Sequence, residues 1–93
     1  MTGMSAGTDR RERCRKVLQS ELGNWASLSP DDLLNEIRNR DVYEVVEGPN
    51  RYQIEVVLLE NTPEYLHVSI AVDDGSLRVS FRPEADSFIC RKA

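Results

Sequence analysis

Apolar residues recur along this chain first at helical spacing and then at alternate positions. Cys14, Val17, Leu18 and Leu22 fall three or four residues apart, which gathers them on one face of a helix. Asp9 followed by Glu12 resembles a capping box at its start, and Gly23 supplies a stop. Residues 1 to 7 are small and polar, with two glycines and no such pattern. They are expected to form a flexible N-terminus ahead of a single domain over 8 to 93. The second helix carries fuller signals: Ser29 as cap, Pro30 at the first helical position, Asp31 and Asp32 at the positive end, and a Leu28–Leu33 staple. Leu33, Leu34 and Ile37 then form a narrow apolar stripe, with Asn35, Glu36, Arg38 and Asn39 facing water. Such a helix lies on a surface, and it ends near Arg40.

From Val42 the period changes to two. The stretches 42–47 and 51–60 are rich in β-branched and aromatic residues and are joined by Gly48-Pro49-Asn50, so they read as a hairpin. A turn centred on Pro49 and Asn50 sets Val45 opposite Ile54 and Tyr43 opposite Val56, which gives the pair one apolar face. After a loop at 61–64, Leu66, Val68, Ile70 and Val72 alternate with His67, Ser69, Ala71 and Asp73, as in a half-buried strand. Asp74-Gly75 is a favoured hairpin turn. It predicts Val72 against Leu77, Ile70 against Val79 and Val68 against Phe81, with Pro83 closing the strand. Phe88-Ile89-Cys90 is left either as a short edge strand or as a cover over the end of the core. The expected fold class is α+β: two N-terminal helices packed on one face of a four-stranded antiparallel meander, a two-layer sandwich with Trp25 sealing one edge.

Composition changes this picture little. With 93 residues, 40% hydrophobic and 30% charged, the chain suits one ordinary globular core. Its longest apolar run, Val56-Val57-Leu58-Leu59, is far too short to span a bilayer. Nothing at the start reads as a secretory signal, so the expected location is cytoplasmic and no membrane contact is expected. Cys14 and Cys90 have neither the number nor the spacing of a disulfide framework or a zinc site and read as free thiols. The net charge of −4 opposes general attraction to nucleic acid.

A sheet covered on one side leaves its other face for function. In the register above, that face pairs His67 with Arg82, Ser69 with Ser80 and Ala71 with Arg78, and it includes Gln53 and Glu55, then Val57 and Leu59. Val57, Leu59, His67, Ser69, Arg78, Ser80 and Arg82 are therefore the candidate partner-binding face, offered to a protein partner or a second copy of the chain. The plainer reading is a solvated sheet face whose two aliphatics are capped by the second helix or the tail.

Other chemistries find less support. The basic run from Arg10 to Lys16 suggests phosphate contacts. However, Arg13, Arg15 and Lys16 point in different directions on a helix, and Asp9–Arg13 and Glu12–Lys16 are four apart in the order that supports the helix itself. A nucleic-acid-contacting domain using this first helix is the first alternative. The second is a small enzyme centred on His67, the only histidine. Ser69 lies on the same face, roughly 7 Å away by strand geometry, which is loose for a nucleophile and its base. Asp31-Asp32 and Asp73-Asp74 are accounted for by a helix start and a turn. No catalytic residue, metal site or cofactor is assigned, and the leading expectation is a small non-catalytic protein-interaction or assembly module. Charge reversal at Arg78 and Arg82 should then leave folding intact and weaken a partner or self contact; light scattering over a concentration series that shows unchanged association contradicts this reading.

Overall fold

The structure, a computed structural model, describes residues 6–75 and 84–92, with side chains from residue 11 onward. Helices α1 (Ala6–Ala26) and α2 (Pro30–Asn39) precede strands β1 (Val42–Glu47), β2 (Asn50–Asn61), β3 (Tyr65–Asp73) and β4 (Glu84–Arg91). The strands form one antiparallel sheet in the order β1-β2-β3-β4. With α1 against β3 and β4 and α2 beside β2, this is the expected α+β two-layer arrangement.

The start of α2 follows the capping rules. Ser29 is extended, and its hydroxyl accepts from the Asp32 amide at 3.2 Å, with Pro30 in the first turn. Leu33 is fully buried, and Leu28, Leu34 and Ile37 pack around the same core. The α1 expectations need correction at both ends. The helix begins ahead of Asp9 and runs through Gly23, so Asp9 is an interior residue and not a cap, and Ala6 and Gly7 are helical. An interior glycine costs about 1 kcal/mol. The extra turn also carries Trp25 into the core at 2% exposure, and burying so large a ring outweighs that cost.

Trp25 is fixed by polar contacts as well as packing. Its indole Nε1–H donates to Tyr43 Oη at 2.7 Å, and the Tyr43 hydroxyl donates to the Glu21 carboxylate. The two rings stack with centroids 6.2 Å apart, and the Arg40 guanidinium lies 4.3 Å over the Tyr43 ring. This set joins α1, β1 and the end of α2. Burial and the bond to Glu21 push the Tyr43 hydroxyl up to about 12.

The sheet's inner face is apolar at alternate positions. Tyr52, Ile54 and Val56 from β2 and Leu66, Val68, Ile70 and Val72 from β3 are buried with Cys14, Val17 and Leu18 of α1. The first hairpin turns over Gly48 and Pro49, one residue earlier than expected, with Gly48 at φ 59°. Tyr43 therefore pairs with Ile54 and Val45 with Tyr52, a shift of two residues from the expected pairs. A shift of two keeps every side chain on its own face, so the apolar face survives the correction.

The larger correction concerns the strand beside β3. Its partner is Glu84–Arg91, with Val72 opposite Glu84, Ile70 opposite Asp86 and Val68 opposite Phe88. The expected partners Leu77, Val79 and Phe81 belong to residues 76–83, with Arg78, Ser80, Arg82 and Pro83, which lie outside the described residues; the two edges of β3 are taken by β2 and β4. After β3, the Asp73 carboxylate accepts from the Gly75 amide at 3.1 Å, with Gly75 at φ 84°. Anchors of three kinds hold β4 in place: Arg11 and Arg15 of α1 reach Glu84 at 3.7 and 3.5 Å, Phe88 and Cys90 pack on the core, and the Lys92 amide donates to the Glu64 carbonyl at 2.9 Å.

Tyr43 titrates above its unfolded value of 10, so the folded state holds a proton that the unfolded chain releases, and stability falls as pH rises from 10 to about 12. Buried Cys14, pushed up to about 11 by burial first and then by the carboxylates of Asp74, Glu84 and Asp73, adds a fall in the same direction from 9 upward. Tyr43→Phe should lower stability near neutral pH by about 1–2 kcal/mol, since it leaves Trp25 and Glu21 without their shared partner. It should also flatten the fall between pH 10 and 12, as read by urea denaturation followed through the fluorescence of Trp25.

Candidate functional site: the open face of the sheet

Alternation along each strand sends to the side away from the helices Val42, Glu44 and Val46 from β1 and Arg51, Gln53, Glu55 and Val57 from β2. Tyr65, His67, Ser69, Ala71 and Asp73 of β3 and Ala85, Ser87, Ile89 and Arg91 of β4 complete that face. Backbone pairing lines them up in rows across the sheet. Val57, Ser69 and Ser87 form one row, with Glu55, Ala71 and Ala85 on one side of it and Glu60, His67 and Ile89 on the other. A bulge in β2 sets Leu59 and Glu60 together opposite His67.

Apolar exposure is concentrated here. Val42 (49%), Val46 (59%), Val57 (43%), Leu59 (51%) and Ile89 (51%) are the large hydrophobic residues left exposed among the described residues, and all are carried on strands at positions turned away from the core. The second helix and the tail therefore do not cap Val57 and Leu59, as the plainer sequence reading had it. The centre of the face is small: Ser69, Ala71, Ala85 and Ser87.

Of the candidate residues, the structure brings Val57, Leu59, His67 and Ser69 onto one face, while Arg78, Ser80 and Arg82 lie outside the described residues. The neighbours of His67 and Ser69 are correspondingly different. His67 lies between Glu60 and Ile89 instead of beside Arg82, Ser69 lies between Val57 and Ser87 instead of beside Ser80, and Ala71 lies beside Ala85 instead of Arg78. Ser87, Ile89, Glu60 and Tyr65 were missed as members of the face. For Ser87 and Ile89 the signal is present, since they alternate with Phe88 and Cys90, but it rests on a stretch that the sequence leaves open between an edge strand and a cover over the core. The bulge that turns Glu60 toward His67 has no sequence signal.

These neighbours give the face a polar cluster. His67 Nε2 lies 3.0 Å from Ser87 Oγ, and Nδ1 lies 3.7 Å from Glu60 Oε1. Tyr65 Oη donates to the same Glu60 oxygen at 3.1 Å, which raises the Tyr65 hydroxyl above its ordinary value. A hydroxyl, an imidazole and a carboxylate in sequence resemble a nucleophilic triad in composition, but the geometry falls short of one. The imidazole–carboxylate distance exceeds a hydrogen bond. Ser87 sits in the middle of β4, and its backbone N–H donates to the Asp86 carboxylate at 2.7 Å, so that amide is not free to hold a developing oxyanion. A cleft on the adjoining surface is lined by Pro63, Glu64, Tyr65, Ile89, Arg91 and Lys92 and not by His67.

Among the described residues, no group of three His, Cys, Asp or Glu side chains is placed to hold a metal ion. No helix among them is long and apolar enough to cross a membrane. Compared with protein families, curated proteins and solved structures, the chain gives no match. The geometry of the cluster predicts that the chain hydrolyses p-nitrophenyl acetate no faster than an exposed imidazole does. Ser87→Ala should leave that rate unchanged, in a stopped-flow or absorbance assay; a loss of rate in Ser87→Ala would mark Ser87 as a nucleophile.

Proposed function

We propose that this protein is a non-catalytic protein-interaction or assembly module that works through the open face of its sheet. One observation carries the reading: the exposed large hydrophobics of the described residues belong to the face opposite the helices, around a centre of small residues. Scattered surface aliphatics are ordinary, whereas the gathering of five of them on one sheet face, interspersed with small and charged residues, favours a contact surface. Here the rim is Glu44 with Arg51, paired at 3.7 Å, and Asp73 at one end, and Glu60 with Arg91 at the other. Small central residues let a partner's backbone come close, and flanking aliphatics supply the area to be desolvated.

The alternative through the first helix is less well supported. Arg11 and Arg15, two cations of the basic run, are directed at Glu84 of β4 and serve the contact between helix and sheet. Cys14 and Cys90 are thiols, the first buried and the second half-buried, which suits a reducing compartment and, on this reading, the cytoplasm.

The double variant Val57→Asp, Ile89→Asp tests the reading. Both positions are half exposed, so the helical and sheet content and the melting temperature should be retained within a few degrees. Any associated species of the chain, whether of the pure protein or of the tagged protein in native lysate resolved by size, should be lost. Retention of every associated species in the variant would remove the open face as the contact surface.

A further inference from the structure

Independently of the open face, we infer that the cleft beside the first hairpin turn, between α1 and β2, binds a small phosphorylated ligand, with Arg13, Lys16, Asn50 and Tyr52 as the donors that hold its phosphoryl group. Tyr52 points there. It belongs to the core and is 3% exposed, yet among the described residues its hydroxyl makes no hydrogen bond. A buried tyrosine hydroxyl ordinarily has a partner; those of Tyr43 and Tyr65 both donate to carboxylates. Tyr52 instead lines a cleft of about 380 Å³ with Arg13, Lys16, Glu47 and Asn50. Arg13, Asn50 and Tyr52 also line a second cleft of about 360 Å³, so these three stand where the two clefts meet. Volumes of roughly 300–1,000 Å³ suit small molecules.

The lining sets the charge of the ligand. Among the described residues, the side chains of Lys16 and Asn50 also make no hydrogen bond or ion pair. Lys16 does not form the pair with Glu12 that its spacing offers, so three polar side chains reach this cleft uncommitted. Arg13 and Lys16, one turn apart on α1, bring two cations against the one carboxylate of Glu47. In a chain of net charge −4, this local excess is not a by-product of general basicity.

Geometry selects the phosphoryl group among anions. A guanidinium and an ammonium enter from the helix, and a phenol and an amide from the strand. A phosphoryl group presents three strong acceptor oxygens in different directions and carries close to two charges. A carboxylate has two coplanar oxygens, suited to one arginine fork, and leaves the strand donors unmatched. Glu47 adds a preference of its own. Its carboxylate accepts from a phosphoryl group that keeps one proton and repels sulfate, which has none to give. Tyr52, fixed by its packed ring, loses little freedom when its hydroxyl donates.

Phosphorus NMR titration of the full chain with inorganic phosphate and with glycerol 3-phosphate, at pH 6.5 and constant ionic strength in chloride, should show saturable binding to both, and competition by sulfate should be several-fold weaker than by phosphate. Tyr52→Phe keeps the ring and removes the hydroxyl. It should weaken binding about tenfold while stability in urea is unchanged or higher, because the hydroxyl bonds nothing within the fold. Lys16→Gln should weaken binding about tenfold, whereas Arg38→Gln, the same change of net charge on α2, should stay within about twofold. Asn50→Ala replaces Tyr52→Phe if circular dichroism shows a disturbed fold. Absence of saturable binding overturns the inference, as does native affinity in Tyr52→Phe, or sulfate that competes as well as phosphate. An equal loss in Arg38→Gln would mark mere attraction to charge, and a loss of stability in Tyr52→Phe would show the hydroxyl engaged within the fold; either overturns it. Binding of an oligonucleotide at concentrations where glycerol 3-phosphate does not bind would replace the small ligand with a nucleic acid.

Discussion

The packing of α1 across the inner face of β3 is the contact on which the rest of this structure depends. Cys14, Val17 and Leu18 meet Leu66, Val68, Ile70 and Val72, and all of these are buried. A strand places alternate side chains on opposite faces. Once those four residues of β3 turn inward, His67, Ser69 and Ala71 must turn outward, and strand pairing carries the same division to β2 and β4. The open face therefore follows from the core, and its position needs no separate cause.

The Trp25–Tyr43–Glu21 set secures the other edge of the same layer. A tyrosine hydroxyl that both accepts from an indole and donates to a carboxylate leaves none of the three polar groups unpaired, which burial would make costly. It ties the last turn of α1 to β1, the strand farthest from the packing of α1 on β3 and β4. At the opposite edge, β4 is held through Glu84 by Arg11 and Arg15. The arginines of these pairs are solvent-exposed while Glu84 is largely covered, and at 3.5 and 3.7 Å the pairs contribute modestly, so the burial of Phe88 and Cys90 and the backbone bond from Lys92 to Glu64 add to them.

What remains exposed has a consistent character. The outward positions combine aliphatics with serines and alanines, and their one histidine is engaged by Ser87 and approached by Glu60. On the proposed reading, this face offers a partner area to desolvate and a close approach over its small central residues.

Much of this was legible in the residues. The cap of α2 rests on a local rule, Ser29 followed by Pro30, Asp31 and Asp32, and local rules are read directly from sequence. The alternation of β2 and β3 fixed which of their side chains face the core, and that assignment survived even a register error of two residues at the Gly48-Pro49 turn, because the side-chain period is two. The choice of partner for β3 was different. Leu77, Val79 and Phe81 offer one alternating set after a good turn, and Phe88 and Cys90 offer another further on; pattern and turn chemistry favour the nearer. Only tertiary contacts favour the farther, through Glu84 against α1, Phe88 in the core and Lys92 on Glu64. The sequence by itself determined the fold class, the helices and the inward faces of the strands, since these depend on neighbours a few residues apart. Tertiary structure alone decided which strand completes the sheet, and so which side chains stand beside His67, because that choice depends on contacts between residues far apart in the chain.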